Sequence, residues 1–165
     1  KKAGGIKVKL SAADAAFPGA VDAAVLYKEY AAAAGIEIEV VREPNDGYWK
    51  NVWLKKPWGA CYWGGRPTED WMFSTTHYSG ADWNDTHFKN EQFDKWLIEA
   101  RAETNQNKRR QLYYEMQKMV SDEGGTVVPM FANYVFAAHK NVQHGTMAGN
   151  WMMDGNKFHE RWWFA

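Results

Sequence analysis

One short segment combines residue types that suit a ligand-binding loop. It reads Tyr62-Trp63-Gly64-Gly65-Arg66-Pro67-Thr68 and starts at the end of an apolar run that predicts a strand. In open α/β sheets, ligands bind beyond the carboxyl ends of such strands. Glycine lets a ligand approach the backbone closely, and the planar guanidinium of arginine matches a carboxylate or a phosphate. The segment therefore predicts a ligand site, and the alternative is an ordinary turn with a surface arginine.

Histidines and acidic residues also occur together, but their spacing does not indicate a metal site. The group comprises His77, Asp82, Asp85 and His87. This spacing matches neither a helical His-x3-His pair nor the HExxH motif. The other histidines, His139, His144 and His159, are equally scattered. We therefore expect solvated loop residues and no metal ligands.

No motif in the sequence indicates catalysis or a cofactor. Cys61 lies within an apolar run, where cysteine usually behaves as a small hydrophobic residue and not as a nucleophile. The chain has no GxSxG elbow, no phosphate-binding loop and no dinucleotide fingerprint. We therefore expect no catalytic residue, no cofactor and no enzyme activity.

Composition excludes several other classes of protein. The 165 residues carry 20 Lys and Arg against 20 Asp and Glu, without a basic block, which argues against nucleic-acid binding. No run approaches the roughly 18 apolar residues of a membrane helix. The unusual feature is the aromatic content of 10 Trp, 8 Tyr and 8 Phe. Such a content predicts either an aromatic core or surfaces that a partner covers.

The opening of the chain predicts a βαβ unit. Residues 6–10 and 36–40 alternate apolar and charged side chains, which is typical of half-buried strands. An alanine-rich helix over residues 20–34 lies between them and ends at Gly35. A crossover of this kind makes the two strands parallel. If the strands are neighbours, Lys7 and Lys9 face Glu37 and Glu39 on a solvated face.

The remaining elements must hold the candidate loop in place. Residues 46–55 predict a short amphipathic helix, residues 58–63 a third strand, and Thr68 the N-cap of a further helix. Helical periodicity predicts two more helices, at Phe93, Trp96, Leu97 and Ala100 and at Leu112, Met116, Met119 and Val120. Residues 127–138 predict a strand interrupted by Pro129, and the chain after His139 is expected to be irregular.

The order of these elements resembles the carboxyl-terminal lobe of the family 5 extracellular solute-binding proteins, the peptide, nickel and opine receptors of ABC importers. The resemblance runs from about Ile6 to Trp163. It rests on four pieces in the right order: the βαβ unit ending at residues 34–39, the strand ending in Trp63 with its polar turn, residues 83–94 entering a helix, and residues 110–117 leading to 127–131.

The resemblance implies an α/β fold, namely one lobe of a type II periplasmic-binding-protein fold with a mixed sheet flanked by helices. Residues 1–140 would form the ligand-binding lobe, and residues 141–165 an irregular tail that returns to the missing amino-terminal lobe. The implied function is to capture a peptide or related small solute outside the cytoplasmic membrane and to deliver it to a membrane permease. The implied location is the periplasm, or the outer side of the cytoplasmic membrane by way of a lipid anchor, and we expect this fragment to contain no signal peptide.

The resemblance also implies a set of ligand contacts. Trp63 would stack on the ligand, and Gly64 and Gly65 would offer it backbone groups. Peptide-binding members carry an aspartate for the peptide's α-amino group where this chain has Arg66. Arg66 would instead hold a carboxylate or a phosphate, or the peptide would bind in another register; alternatively, Arg66 points away and contacts Glu69. Weaker candidates for the cleft are Phe17, Trp83 and Asn84, each of which is otherwise a core or loop residue.

Two other functions remain open at this point. The aromatic density is compatible with a carbohydrate-binding module, although such modules are usually β-sandwiches and the periodicity here predicts several helices. An enzyme without a recognisable motif is the other. Within the receptor class the ligand is also open, between a peptide, an opine, a metal chelate and a sugar-linked anion.

Overall fold

The computed structural model describes residues 5–165, and these form two compact units. The first unit ends at Trp63 and the second begins at Gly64. The first four residues, where no signal region is predicted, lie outside the described part of the chain. The division of the chain into a lobe over residues 1–140 and a tail over residues 141–165 stays a prediction.

The first unit is built on the predicted βαβ motif. Strand β1 (Ile6–Ala12), helix α1 (Ala20–Ala33) and strand β2 (Ile36–Arg42) follow one another, and β1 pairs with β2 in parallel. Gly35 follows the helix with a φ of 81°, a left-handed conformation that glycine adopts without a steric penalty. A short helix α2 (Tyr48–Asn51) completes the unit.

The charged residues of the two strands form the expected solvated face. Lys7 pairs with Glu37 at 2.8 Å, and Lys9 pairs with Glu39 at 3.1 Å. All four side chains are exposed, so these ion pairs contribute little to stability. The opposite face of the sheet buries Leu10, Ala12 and Ile38 together with Ala24 of α1. Burial of these apolar side chains is what holds the helix on the sheet.

The prediction of a third strand over residues 58–63 is wrong. Ser11 N donates to Trp58 O and Ala60 N donates to Ser11 O, and these bonds form one isolated parallel bridge beside β1. The Tyr48 hydroxyl also donates to the Ala60 carbonyl and lies close to the Ser11 carbonyl. Beyond Ala60 the rings of Tyr62 and Trp63 pack against aromatic residues near α2, and the backbone leaves the sheet.

The second unit contains three well-capped helices: α3 (Glu69–Thr76), α4 (Glu91–Ala102) and α5 (Gln106–Glu123). The predicted N-cap at Thr68 is confirmed, since its side chain accepts from Trp71 N. Asn90 and Asn105 cap α4 and α5, each accepting two backbone N–H groups. These bonds satisfy donors that a helix start otherwise leaves unpaired.

The periodicity of α4 and α5 is confirmed by their packing. Phe93, Leu97 and Ala100 of α4 are buried with Met116 of α5, and Phe73 and Phe88 complete the cluster. Trp96, Leu112, Met119 and Val120 pack around it and are partly buried. This cluster, called the helical core below, is the main apolar core of the second unit.

The carboxyl-terminal part of the chain departs from the prediction in two ways. Residues 127–138 form no strand, since no described segment pairs with them, and most of their apolar side chains are exposed.

The residues after His139 are not wholly irregular. Strand β3 (Val142–His144) pairs antiparallel with β4 (Trp162–Phe164), and the short segments α6 (Met152–Asn156) and α7 (Phe158–Arg161) lie between them. The final Trp-Trp-Phe therefore folds back on this unit, with Trp163 and Phe164 still exposed.

The predicted α/β content is confirmed, but the described strands form two separate two-stranded sheets, one parallel and one antiparallel. A single mixed sheet is not seen in residues 5–165. Among those residues, every helix is too short or too polar to cross a bilayer.

Candidate functional site

Arg66 lies in the loop that leads into α3 and is half-buried there. Arg66 Nη1 donates to the Gly64 carbonyl at 2.7 Å. Its guanidinium carbon lies 5.6 Å from the centre of the Trp71 ring, a distance at which cation–π attraction operates. The arginine is thus oriented by its own loop and by the first turn of α3.

The two glycines of the loop differ in their surroundings. A Cβ at Gly64 would lie 3.5 Å from Arg66 Nη1, whereas a Cβ at Gly65 would meet nothing within 4 Å beyond its chain neighbours. Gly65 is exposed, and its carbonyl accepts from Trp151 Nε1 at 2.9 Å. Open space beside an exposed glycine is what a ligand needs for a close approach to the backbone.

Two tryptophans that the sequence did not single out complete this surface. Trp71 and Trp151 contact each other edge to face, with ring centres 6.4 Å apart. Trp71 is exposed and Trp151 is half-buried. We call Gly64, Gly65, Arg66, Trp71 and Trp151 the Arg66 cluster. Trp151 lies 86 residues from Gly65 in the sequence, so no local spacing indicated its place.

Helix α3 is held in place behind the Arg66 cluster by a polar triad. Asp70 accepts from Arg101 Nε at 2.9 Å and from the Tyr113 hydroxyl at 3.2 Å. Burial, and then the neighbouring carboxylate, raise the pKa of Tyr113 to about 12, so it stays a donor at neutral pH. Because Asp70 precedes Trp71, these bonds to α4 and α5 fix the turn that carries the tryptophan.

Trp63, the other central candidate, belongs to the first unit and sits among aromatic neighbours. Its ring contacts Trp53, which contacts Trp49, which in turn contacts Tyr62, all edge to face at 5.8–6.2 Å. Trp49 and Tyr62 are exposed. The sequence predicted Trp63 alone as an aromatic contact here, whereas the structure places four aromatic rings in a continuous series. The signal available was the spacing of four between Trp49 and Trp53, which places them on one face of a helical turn.

The segment that precedes Trp63 is fixed by a buried tyrosine. The Tyr48 hydroxyl donates to the Ala60 carbonyl at 2.7 Å and lies 3.2 Å from that of Ser11. Burial raises the pKa of Tyr48 to about 12. The neutral hydroxyl therefore ties the end of β1 to the chain three residues before Trp63.

The three weaker candidates have different surroundings. Phe17 packs against a buried cluster of the first unit that contains three alanines, Tyr48 and Val52, in the position of a core residue. Trp83 is exposed on its loop. The Asn84 amide is buried and donates to the Phe88 carbonyl at 2.6 Å while accepting from Phe88 N at 3.0 Å. Asn84 thus braces its own loop, and a ligand role for any of the three stays a prediction.

His77 is not the solvated loop residue that the sequence predicts. It follows α3, is only 7% exposed, and packs its ring against Phe73 and Phe88. Its Nδ1 lies 2.6 Å from Thr76 Oγ1, and burial lowers the pKa of the imidazole. The apolar periodicity of α3 extends to this position, which explains its burial. Within residues 5–165, no three or more His, Cys, Asp or Glu side chains group to hold a metal ion.

The fold of this chain is similar to that of several solved solute-binding proteins. No protein-family model and no curated protein matches the chain. The oligopeptide-binding protein AppA from Bacillus subtilis, solved with a nonapeptide, matches 97% of this chain with a TM-score of 0.62 at 16% identity. NikZ from Campylobacter jejuni, solved with Ni(L-His), matches 70% with a TM-score of 0.57 at 20% identity.

A third similar structure is the ABC transporter-associated periplasmic binding protein DppA from Helicobacter pylori, solved with the peptide STSA. It matches 70% of this chain with a TM-score of 0.51 at 19% identity. The chain has the fold of part of these solute-binding proteins. This confirms the α/β fold class that the sequence resemblance implied.

The chain spans only part of each solute-binding protein it matches. It covers 32% of the AppA chain, 24% of the NikZ chain and 23% of the DppA chain. These neighbours are binding proteins and not enzymes, and none of the three supports the carbohydrate-binding module.

Proposed function

We propose that this chain is part of the substrate-binding component of an ABC importer. It would capture a peptide or related small solute outside the cytoplasmic membrane and deliver it to the permease. The observation that carries the proposal is the fold, which matches an oligopeptide-binding protein over 97% of this chain. Such a protein needs no catalytic group, because its work is to gain ligand contacts in a closed state.

The local chemistry supports a ligand with an anionic group. The guanidinium of Arg66 is oriented over Trp71 and lies beside exposed Gly65. A planar guanidinium pairs with a carboxylate or a phosphate and repels an ammonium. We assign Arg66 to the anionic group of the solute, Gly64 and Gly65 to backbone contacts, and Trp63 to an apolar or aromatic part of it.

The partners follow from the same proposal. The rest of the receptor would supply the second lobe, and closure of two lobes around the solute is a hinge motion. The apolar side chains of residues 127–136 are exposed in the second unit. Surfaces of this kind suit contact with a further part of the receptor. A permease would receive the solute from the closed form. The receptor would be either free in the periplasm or held at the outer side of the cytoplasmic membrane by a lipid anchor.

A tryptophan-fluorescence titration tests the proposal, using short peptides with free or amidated carboxyl ends. We expect a response to the free-carboxylate peptides. The Arg66→Ala variant should weaken their binding by about 10- to 100-fold, the effect of one charge-assisted hydrogen bond. Arg110→Ala, which removes an exposed arginine of α5, is the matched control. No response to any peptide would contradict a peptide ligand, and unchanged affinity in Arg66→Ala would remove Arg66 from the site.

A further inference from the structure

Two consecutive carbonyls of the Arg66 cluster already accept hydrogen bonds from side chains. The Gly64 carbonyl accepts from Arg66 Nη1 at 2.7 Å, and the Gly65 carbonyl accepts from Trp151 Nε1 at 2.9 Å. An indole N–H only donates, and a guanidinium has five N–H donors and no acceptor. Both side chains therefore donate hydrogen bonds to backbone acceptors of this loop.

This arrangement changes what the loop can bind. Exposed backbone carbonyls are the groups that would hold the ammonium of a solute, because they accept N–H donors. Each carbonyl that accepts an N–H from the protein has less capacity for a donor on the solute. The guanidinium of Arg66 adds a positive charge at the same place. Because the loop is surrounded by hydrogen-bond donors and carries a positive charge, an anionic group of a solute fits it better than a cationic one.

Trp151 is held in its place from several sides. Its ring contacts Trp71 edge to face, and its backbone has a φ of 58° and a ψ of 163°, a combination that is nearly confined to glycine and costs energy in any other residue. Nearby, the buried Asp154 accepts from Ala148 N at 2.6 Å, which closes the turn that contains Trp151. Strain of this kind persists only where surrounding contacts fix the conformation.

We propose that Trp151 is a positioning residue that sets charge selectivity. Its indole N–H occupies the Gly65 carbonyl and thereby biases the Arg66 cluster toward the carboxylate of a solute and against an ammonium. The inference rests on the proposed solute-binding function and adds to it the residue that determines which charge is accepted.

The experiment compares two probes of opposite charge. One is N-acetyl-trialanine with a free carboxylate, and the other is trialanine amide with a free amino group. Isothermal titration calorimetry measures both affinities in the unaltered protein, in Trp151→Phe and in Trp163→Phe. Trp151→Phe keeps an aromatic ring but removes the indole donor. Trp163→Phe makes the same substitution at an exposed tryptophan of the same unit.

We expect the unaltered protein and Trp163→Phe to prefer the acetylated probe. In Trp151→Phe the ratio of the two affinities should narrow by about 3- to 10-fold, the effect of one hydrogen bond. A merely structural role would weaken both probes equally and leave the ratio unchanged, which would overturn the inference while the solute-binding function stands. If neither probe binds the unaltered protein, the inference falls together with a peptide-binding function.

A second measurement does not depend on the folding of a variant. In the unaltered protein, nuclear magnetic resonance follows the indole N–H signal of Trp151 during titration with each probe. We expect the acetylated probe to shift this signal and the amidated probe to leave it in place. Equal shifts with both probes, or no shift with the acetylated one, would overturn the inference.

Discussion

The helical core and the carboxyl-terminal segment, residues 126–165, belong to the same unit but are built differently. In the helical core Phe93 is 0% exposed, and Leu97 and Met116 are no more than 1% exposed. In the carboxyl-terminal segment Phe131 is 94% exposed and Phe164 is 83% exposed. One region buries its apolar side chains, and the other presents many of its own to the surface.

The carboxyl-terminal segment is held by polar contacts at its most buried point. Asp154 accepts from Ala148 N at 2.6 Å and from Trp162 Nε1 at 3.2 Å, and it pairs with Arg161 at 3.0 Å. Arg161 also donates to the Thr146 carbonyl at 2.9 Å. A single carboxylate therefore connects the turn before α6 with the end of α7 and the start of β4.

The two regions should respond differently to damage. Buried apolar surface is the dominant stabilising contribution to a fold, so damage to the helical core lowers the stability of the whole unit. A segment with few buried apolar contacts opens locally, at a lower free energy than global unfolding. Damage to its polar anchor should therefore free the segment and leave the helices folded.

The largest effect is expected at Phe93. Phe93→Ala removes a fully buried ring and should lower the free energy of unfolding by about 3–5 kcal/mol. Phe131→Ala makes the same change at an exposed site and should alter it by no more than about 0.5 kcal/mol. Urea denaturation followed by circular dichroism measures both. Similar losses in the two variants would break the contrast between the regions.

A smaller effect is expected at the start of α4. Asn90 accepts from Gln92 N and Phe93 N, both at 3.0 Å. Asn90→Ala leaves these donors without their cap and should cost about 1 kcal/mol of unfolding free energy. Asn107→Ala, within the first turn of α5, is the control and should be neutral or slightly stabilising, because alanine favours the helix. Equal losses of unfolding free energy in the two variants would show that the Asn90 cap does not stabilise the protein.

The sequence predicted the elements whose stability comes from local pattern. The alternation of residues 6–10 and 36–40 predicted the parallel pair, including the facing of Lys7 and Glu37. The spacing of Phe93, Leu97 and Ala100 predicted the buried face of α4. Local periodicity sufficed in these places because one face of each element is buried against a neighbour.

The two wrong strands show where local pattern fails. An apolar run becomes a strand only if another strand offers it hydrogen bonds. The residues of the run itself do not show whether such a partner strand exists. Residues 58–63 make a single bridge to Ser11 before their rings turn toward Trp49 and Trp53. Residues 127–138 find no partner strand within the described part of the chain.

The candidate site was predictable only in its contiguous part. Gly64, Gly65 and Arg66 stand together in the sequence, and the structure keeps them together around one loop. Trp151 reaches the same loop from 86 residues away, by a contact that depends on the fold of the carboxyl-terminal segment. Its backbone conformation is also one that residues other than glycine rarely adopt, so no propensity indicated it.

The smallest effect on global stability is expected at Asp154. Asp154→Asn replaces a carboxylate that accepts from Ala148 N and pairs with Arg161, and it should free the carboxyl-terminal segment. Limited proteolysis should then cut between residues 126 and 165 faster than in the unaltered protein. The urea midpoint of the helices should not move. Asp122→Asn, at an exposed carboxylate of α5, is the control for loss of one charge.

Acid should reproduce the effect of Asp154→Asn. The N–H of Ala148, which donates to the carboxylate, is the main reason that the pKa of Asp154 lies below its ordinary value of 3.8. A carboxyl with a lowered pKa in the closed segment binds its proton more readily when the segment is open. The closed form is therefore fully favoured above the ordinary pKa and loses that advantage as the pH falls through the lowered one.

Hydrogen exchange of residues 146–162 at neutral and acid pH measures this opening. The quantity compared is the protection of each amide relative to its intrinsic exchange rate at the same pH. A loss of protection in acid that is confined to the unaltered protein would assign the opening to Asp154. If Asp154→Asn shows the same acid-induced opening, another carboxyl group is responsible; if the helices melt together with the segment, the two regions form one cooperative unit and the contrast between them fails.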